Sequence, residues 1–392
     1  MLRLIRLTPS TSFRAFHSFK EAAVALNIKR QSFVTPLSEP AVVSVGDVFA
    51  GKYTVAKLLG TGTRSSIWLV QARNAGEAVY AMKVLAPNAI FNGEAIMELD
   101  ALTTVSNKTS SPESKHICGM VDSFEHLDKA SGKKYRCFVT PAMGPNVSEI
   151  SKATGGFSPT LHRRFCAQVL VALRFLHEDC NLIHADLKPD NIFLGGSPVE
   201  EGKTCSISLN ELEERSSFFL GDLGEAVGND GDNPQEIQAI RLRAPEVILG
   251  MPFDEKADIF SFAAMAYELA TASHLFDPWW NKLASGLDAP ETHLSQMDAL
   301  LGPFPHELIR QSRSHNDYFD VEKGTLKKGR ALYSATLKDL LLKTKARLST
   351  EELTCLSDFL SKGLALDPAK RWGAWQLLEH PWLEGCSTTV RR

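Results

Sequence analysis

The sequence predicts an α+β chain in which a small β-rich lobe with one helix precedes a larger, mainly helical lobe. Two observations carry this. Between Gly46 and Cys137 the apolar residues fall in short runs broken by Gly-containing turns, whereas after Pro145 they recur at helical spacing. A length of 392 residues, 44% hydrophobic and 23% charged, suffices for two such lobes and excludes a disordered tail protein or a minimal disulfide scaffold. No 20–50-residue repeat interrupts the pattern.

Residues 53–59, 67–71 and 79–85 read as consecutive antiparallel strands. A helix over 94–105 follows, with Ile96, Leu99, Leu102 and Val105 at helical spacing, then a polar loop over 106–115 and two further strands at 117–124 and 135–140. In the second lobe Leu161, Phe165, Val169, Ala172, Leu173 and Leu176 form a long buried stripe, with Ser158-Pro159 as cap and first turn. A second long helix is expected over 256–272, and shorter ones over 292–301, 350–364 and 375–378, each bounded by Gly, Pro or Ser. The expected organisation is an N-terminal arm over 1–41, the β-rich lobe over 49–144, the helical lobe over 145–384 and a tail over 385–392.

The formal charge of −3 gives no strong field for nucleic acid or an anionic membrane, so any charged partner is met locally. No run of about eighteen apolar residues occurs, which argues against a membrane span. Seven scattered cysteines without a CxxC pair fit reduced thiols and argue against a zinc site. The first twenty residues carry Arg3, Arg6, Arg14 and Lys20 and no acid. That is the composition of a mitochondrial presequence, and a basic arm or a misassigned start codon explains it equally well.

Four motifs carry chemistry. Leu59-Gly60-Thr61-Gly62-Thr63-Arg64-Ser65-Ser66-Ile67 places two glycines between strands, where backbone N–H groups can approach phosphate oxygens. A plain hairpin turn accounts for it too; no helix follows, as a Rossmann site would need, and no Walker pattern is present. Lys83, in the apolar strand segment Ala81-Met82-Lys83, is either a solvated edge residue or a cation held for an anionic ligand, with Glu98 as its natural counter-ion. The strongest segment is His184-Ala185-Asp186-Leu187-Lys188-Pro189-Asp190-Asn191, a Pro-stiffened loop able to present a carboxylate base, an ammonium for a phosphate and an amide oxygen for a metal. Downstream, Phe218-Phe219-Leu220-Gly221-Asp222-Leu223-Gly224 is a hydrophobic strand ending in Asp, suited to Mg²⁺, with a glycine hinge beside it. Arg243-Ala244-Pro245-Glu246 follows.

In order and spacing this set resembles the protein kinases, over about residues 49–383. The resemblance implies the two-lobed protein kinase fold, ATP and Mg²⁺ as cofactors, and transfer to a protein. It implies that Leu59, Gly60, Thr61, Gly62, Ile67, Ala81, Lys83, Thr140, Pro141 and Met143 contact the nucleotide, with Thr140 as gatekeeper and Met143 offering an N–H to adenine. Lys83 would pair with Glu98, Asp186 would take the substrate hydroxyl proton, Lys188 would steady the γ-phosphoryl group, and Asn191 and Asp222 would hold Mg²⁺. Asp258 would brace the catalytic-loop backbone and Arg371 would pair with Glu246. Asp186-Leu187-Lys188-Pro189-Asp190-Asn191 looks like the Ser/Thr form.

Within the kinases the chain is most similar to the SR-protein kinases, as a divergent, fungal-like member. The similarity lies in Gly60–Leu69, Ala81-Met82-Lys83-Val84, Asp222-Leu223-Gly224, Glu236–Arg243, His274–Pro278, His293–Gly302 and His380–Leu383. It implies Arg/Ser-rich protein substrates such as splicing factors, no direct nucleic-acid or membrane contact, a monomer, and residence in cytoplasm and nucleus, against which the N-terminal composition sets the mitochondrion. Three departures matter. Ala185 stands where many kinases have the arginine that receives an activation-loop phosphate, and 225–243 contains no Ser, Thr or Tyr, so constitutive activity is expected. The stretch after Leu194 is a short insertion where the family has a long spacer. Ala299 replaces an acid expected near Asp288, Glu291 and Asp298, the family's acidic docking region. The alternative set beside the kinase is a nucleotide-binding pseudokinase scaffold. Trp279, Trp280, Trp372, Trp375 and Trp382 read as core or interface packing, and His162 and His177 as surface or satisfied residues.

Overall fold

The computed structural model describes residues 43–62, 65–74, 78–86, 94–129, 131–195, 209–230, 236–280, 286–328, 335–343 and 348–385. The expected arm over 1–41, nearly all of the expected tail, Thr63, Arg64, Cys205 and Cys386 lie outside them. The chain forms two compact units, one running to Ala153 and taking in Ile192–Gly224, the other made of Thr154–Asn191 and Glu225–Arg392. No described helix is long and apolar enough to cross a membrane.

The first unit is built on a six-stranded antiparallel sheet, with β1 (Val48–Phe49), β2 (Tyr53–Thr61), β3 (Ser65–Ala72), β4 (Val79–Leu85), β5 (Asp122–Leu127) and β6 (Lys134–Pro141) in the order β1-β2-β3-β4-β6-β5. Alternation sorts the side chains between its faces. Val55, Val70, Met82, Val84, Cys137 and Val139 are buried in one cluster with Phe49, Tyr53 and Tyr135. Cross-strand partners share a face, so the pairs Ile67↔Lys83 and Ala81↔Thr140 lie together on the other one.

Two expectations are corrected in this unit. The strand expected over 117–124 begins only at Asp122, opposite Val139. A 3₁₀ turn, Pro112–His116, runs into Ile117, whose N–H bonds back to the Ser114 carbonyl, and Ile117 bridges Leu220 instead of joining the sheet. Helix α1 (Glu94–Ser106) forms as expected, yet Ile96 is 58% exposed, and the buried residues are Glu98, Ala101, Leu102 and Val105. The helix is rotated to aim Glu98 at Lys83, which outweighs burying one isoleucine.

Two short strands, Ile192–Leu194 and Phe218–Leu220, pair in the same unit. Gly144 N–H donates to the Leu194 carbonyl and Leu194 N–H to that of Pro145, both at 2.9 Å, which ties them to the chain leaving β6. The helix Leu209–Arg215, between the two strands, was not anticipated.

The second unit packs around the helix Lys256–Thr271, buried along nearly its whole length and ended by left-handed Ala272. The helix Pro159–Arg174 starts as expected, with Ser158 Oγ accepting from Leu161 N–H and Pro159 in the first turn, and continues through one π turn, Phe175–Asp179. The helix expected from Thr292 begins earlier, at Ala289, because Asp288 and Glu291 form a capping box. The helices Thr350–Gly363 and Ala374–Leu378 lie where periodicity placed them. Strands Leu182–Ile183 and Val227–Gly228 pair, as do Phe319–Asp320 and Thr325–Leu326; all are too short to show a period.

Trp382 is core, with its indole N–H on His162 and Arg163 over its ring at 4.2 Å. Trp279, Trp280 and Trp375, by contrast, are 43%, 43% and 40% exposed and do not belong to the core. Trp279 keeps one face covered by the Arg241 guanidinium, at 4.8 Å. His162 and His177 are both buried, bonded to the Ala266 carbonyl and to Asp258.

Candidate active site

Lys83 sits mid-strand in β4, opposite Ile67 on one side and Phe138 on the other. Its Nζ lies 2.7 Å from Glu98 Oε1 and 3.0 Å from Asp222 Oδ1. Burial pushes its pKa down, but the charges of Asp222 and Glu98 and their hydrogen bonds push harder, so it is raised overall and the ammonium is fixed. Asp222 has left-handed backbone (φ 59°) and is held by the strand before it. That strand is flanked by His116, whose Nδ1 is 3.0 Å from the Phe218 carbonyl, and by Cys118, whose N–H donates to the Leu220 carbonyl at 2.7 Å.

Leu59, Gly60, Thr61, Ile67, Ala81, Thr140, Pro141 and Met143 are all half-buried, and Gly62 is exposed. Gly62 N–H donates to the Ser65 carbonyl at 2.8 Å, closing β2 onto β3. The set is neither core nor free surface, as the wall of a ligand site should be. Cys118 hydrogen-bonds the Thr140 side chain, and burial pushes its thiol up to about 12.

In the second unit Asp186 is bonded by Lys188 Nζ, at 2.5 Å to Oδ2, and by Asn191 Nδ2, at 3.0 Å to Oδ2 and 2.9 Å to its carbonyl. Those bonds use the Asn191 amide nitrogen and leave its oxygen as an acceptor. The loop is suspended from Asp258, fully buried in the central helix. Asp258 Oδ2 accepts from His184 N–H (2.7 Å) and His177 Nε2 (2.9 Å), and Oδ1 from Ala185 N–H (3.0 Å). Burial pushes its pKa up, but the His177 bond, the two histidines and the loop N–H outweigh it, and the carboxyl lies below its ordinary value. Glu246 and Arg371 form a bidentate pair at 2.6 and 2.9 Å, with side chains 1% and 0% exposed.

Sequence reasoning missed Gln238. It is buried with φ 72°, and its N–H donates to the Ala185 carbonyl at 2.8 Å. Its Nε2 donates to the Ala257 carbonyl (2.7 Å) and Ser261 Oγ (2.9 Å), while its Oε1 accepts from Ala244 N–H (2.9 Å). Arg243 reaches back to the carbonyls of Ile237 and Gln238 and to the Glu236 carboxylate. The only signal was a lone amide in the apolar stretch Ile237-Gln238-Ala239-Ile240.

A protein kinase domain model matches residues 53–383. The chain is a eukaryotic protein kinase. This kinase is SR-protein-kinase-like: it is 31% identical over 383 residues to serine/threonine-protein kinase SRPK of Physarum polycephalum, covering 87% of this chain and 88% of the relative. It is 24% identical to protein kinase dsk1 of Schizosaccharomyces pombe, over 87% and 82% of the two chains. A serine/threonine protein kinase of Aspergillus fumigatus is 29% identical over 96% of this kinase and 95% of its own length. The family uses ATP and acts on proteins.

Proposed function

We propose that this kinase moves the γ-phosphoryl group of Mg·ATP to serine and threonine hydroxyls, preferring serines in Arg/Ser-rich or basic segments such as those of splicing factors. The observation that carries the catalytic part is the Lys83–Glu98 ion pair at 2.7 Å, since a lysine locked in this way is the family's phosphate anchor. The residues fit the group. A Cβ on Gly224 would stand 3.1 Å from Lys83 Nζ and 3.2 Å from Asp222 Oδ1, so the glycine keeps the space beside this ion pair clear of a side chain.

When bound, Mg·ATP supplies the phosphoryl group and much of the charge neutralisation. The apolar side chains of Leu59, Ile67 and Ala81 wall the base, Pro141 and Met143 offer backbone polar groups to its edge beside gatekeeper Thr140, and Gly60, Thr61 and Gly62 cover the phosphates. Lys83 binds phosphate oxygen. Asp222 and Asn191 offer carboxylate and amide oxygens to Mg²⁺. Asp186 orients the hydroxyl and takes its proton, and Lys188 steadies the transferring group.

Constitutive activity is supported by Gln238, whose side chain ties the activation segment to the helix Lys256–Thr271 and to Ala244 and whose backbone N–H ties it to the catalytic loop at Ala185, all through neutral hydrogen bonds without a phosphate. We propose that the kinase is monomeric and works in cytoplasm and nucleus; the mitochondrial alternative is tested by N-terminal sequencing of the native protein. Radiolabelled transfer to an Arg/Ser-repeat peptide, a generic basic protein and a tyrosine peptide, with Asp186→Ala as control, tests the function. Preferential, Asp186-dependent labelling of the Arg/Ser peptide is expected. Equal labelling of the generic protein would remove the substrate preference, and no labelling at all would remove the activity.

A further inference from the structure

Arg-Ser, the dipeptide this kinase is proposed to phosphorylate, occurs in its own chain at Arg64-Ser65, Arg215-Ser216 and Arg313-Ser314. Ser216 is 5% exposed and closed to modification. Ser314 is half-buried in the second unit, where its N–H donates to the Leu249 carbonyl. Ser65 differs from both, because it stands inside the glycine loop that covers the nucleotide phosphates.

Ser65 is the first residue of β3 and is half-buried, and its Oγ makes no hydrogen bond among the described residues. Its neighbour Ser66 is buried, with an Oγ that accepts from Trp68 Nε1 at 2.9 Å. Register places the free hydroxyl. Ser65 pairs with Leu85 as Ile67 pairs with Lys83, so Ser65 lies two residues from Ile67 on the face that carries Lys83. Diagonal neighbours of this kind are about 7–8 Å apart, within reach of a long side chain. A Cβ on Gly62 would stand 3.4 Å from Ser65 Oγ, so this oxygen adjoins the space that Gly62 leaves open. What holds Ser65 is the last rung of the strand, its pairing with Leu85 and the bond from Gly62 N–H to its carbonyl at 2.8 Å. A ladder end opens at little cost, which lets the segment be presented to a second molecule.

We infer that Ser65 is a phosphorylation site for a second copy of this kinase, and that the added phosphate weakens nucleotide binding. The inference rests on the Arg/Ser reading above, which makes Arg64-Ser65 a substrate. In the transfer the bond from Ser65 Oγ to the γ-phosphorus forms as the bond from that phosphorus to the β–γ bridging oxygen breaks. ADP leaves, and the hydroxyl proton passes to Asp186 of the copy that supplied Mg·ATP. A phosphoserine brings a charge of about −1.5 to −2 beside the phosphates that the loop covers and offers Lys83 a competing anion. The affinity for ATP falls, whereas the catalytic groups of a molecule that has bound ATP are untouched. Activity at saturating ATP, and with it the constitutive activity, is kept; the ATP concentration needed to reach it rises.

The test is transfer between copies. Affinity-tagged, full-length Asp186→Ala protein, which cannot label itself, is incubated with a small amount of wild type and radiolabelled Mg·ATP, and its phosphorylated residues are located by tandem mass spectrometry. Label is expected on Ser65 at a rate proportional to the wild-type concentration, and Ser65→Ala in the tagged protein removes it. Wild type taken to full phosphorylation shows a KM for ATP raised about 10-fold with kcat unchanged, and phosphatase reverses the change. Ser65→Ala protein carried through the same treatment keeps the KM it had before. Binding of a fluorescent ATP analogue to phosphorylated Asp186→Ala protein shows the same weakening without turnover. The inference is overturned if label falls on Ser314 or other serines and not on Ser65, or if Ser65 is labelled and neither KM nor analogue binding moves. An Arg/Ser peptide that is labelled well beside an unlabelled Ser65 overturns this inference alone. Failure of the substrate reading looks different: the Arg/Ser peptide would then be no better than a generic basic protein.

Discussion

Asp258→Asn separates positioning from chemistry, because the residue touches no reacting group yet holds three donors around the catalytic loop. Asparagine keeps the volume but turns one acceptor oxygen into a donor; placed at the Oδ1 position, where it orphans the fewest donors, the amide leaves the Ala185 N–H without an acceptor, and placed at Oδ2 it would orphan both the His184 N–H and His177 Nε2. An orphaned buried donor costs about 1–3 kcal/mol, and each of the two remaining bonds loses about 1 kcal/mol with its charge assistance. The sum, about 3–5 kcal/mol, exceeds what is needed to release Ala185 from its left-handed backbone (φ 65°), a conformation that costs about 1–2 kcal/mol. Asp186 is the next residue, and a displacement of about 1 Å costs on the order of 100-fold. Steady-state kinetics should show kcat reduced about 100-fold with the KM for ATP changed less than about threefold, since Lys83, Glu98 and Asp222 belong to the other unit. The stability lost has a defined pH dependence. The depressed carboxyl contributes fully above its unfolded pKa and ceases to contribute as pH falls through its lower folded value, so urea midpoints of wild type and variant should converge only in acid. A variant that loses stability but retains kcat within about threefold of wild type would refute the positioning argument.

Arg371→Ala leaves the Glu246 carboxylate buried and unpaired and should lower stability by about 3–5 kcal/mol in urea unfolding, whereas Arg371→Met with Glu246→Leu should recover most of it; equal losses would contradict the ion-pair account. Gln238→Ala removes three side-chain bonds and should reduce kcat on its own, while phosphatase treatment of wild type leaves activity unchanged; a phosphatase-sensitive wild type would show that the network is insufficient. His162 is pushed down to about 4, chiefly by burial, and is neutral when folded, so its share of stability is intact above about pH 6.5 and is lost toward pH 4 at about 1.4 kcal/mol per pH unit. A Tm measured from pH 7.5 to 4.5 should fall more steeply for wild type than for His162→Gln, and parallel curves would count against that assignment.

The long periodic segments were legible because packing demanded what periodicity announced: the helices Pro159–Arg174 and Lys256–Thr271 bury the stripes read from their spacing. The charged groups were legible for a different reason: residue type and position made Glu98 the natural partner of Lys83, whereas the Glu246–Arg371 pair, 125 residues apart, came only from the resemblance to the kinases. What escaped was decided by contacts remote in sequence. Ile96 broke the expected stripe because the partner of Lys83 took the inward position. Ile117 was drawn to Leu220, about a hundred residues away, rather than into the sheet. Gln238 resembles any polar residue in a loop until its left-handed backbone turns it onto Ala257 and Ser261.

The charges are divided between the units in a way that bears on how activity could be regulated. Lys83, Glu98 and Asp222 neutralise one another within the first unit, and Asp186, Lys188 and Asn191 bond one another within the second. Each cluster is therefore satisfied without the other and without an added phosphate. A kinase that relies on a loop phosphate leaves cationic groups uncompensated until it arrives. Here the corresponding position is Ala185, whose N–H is taken by Asp258 and whose carbonyl is taken by Gln238, so no cation waits there for a phosphate.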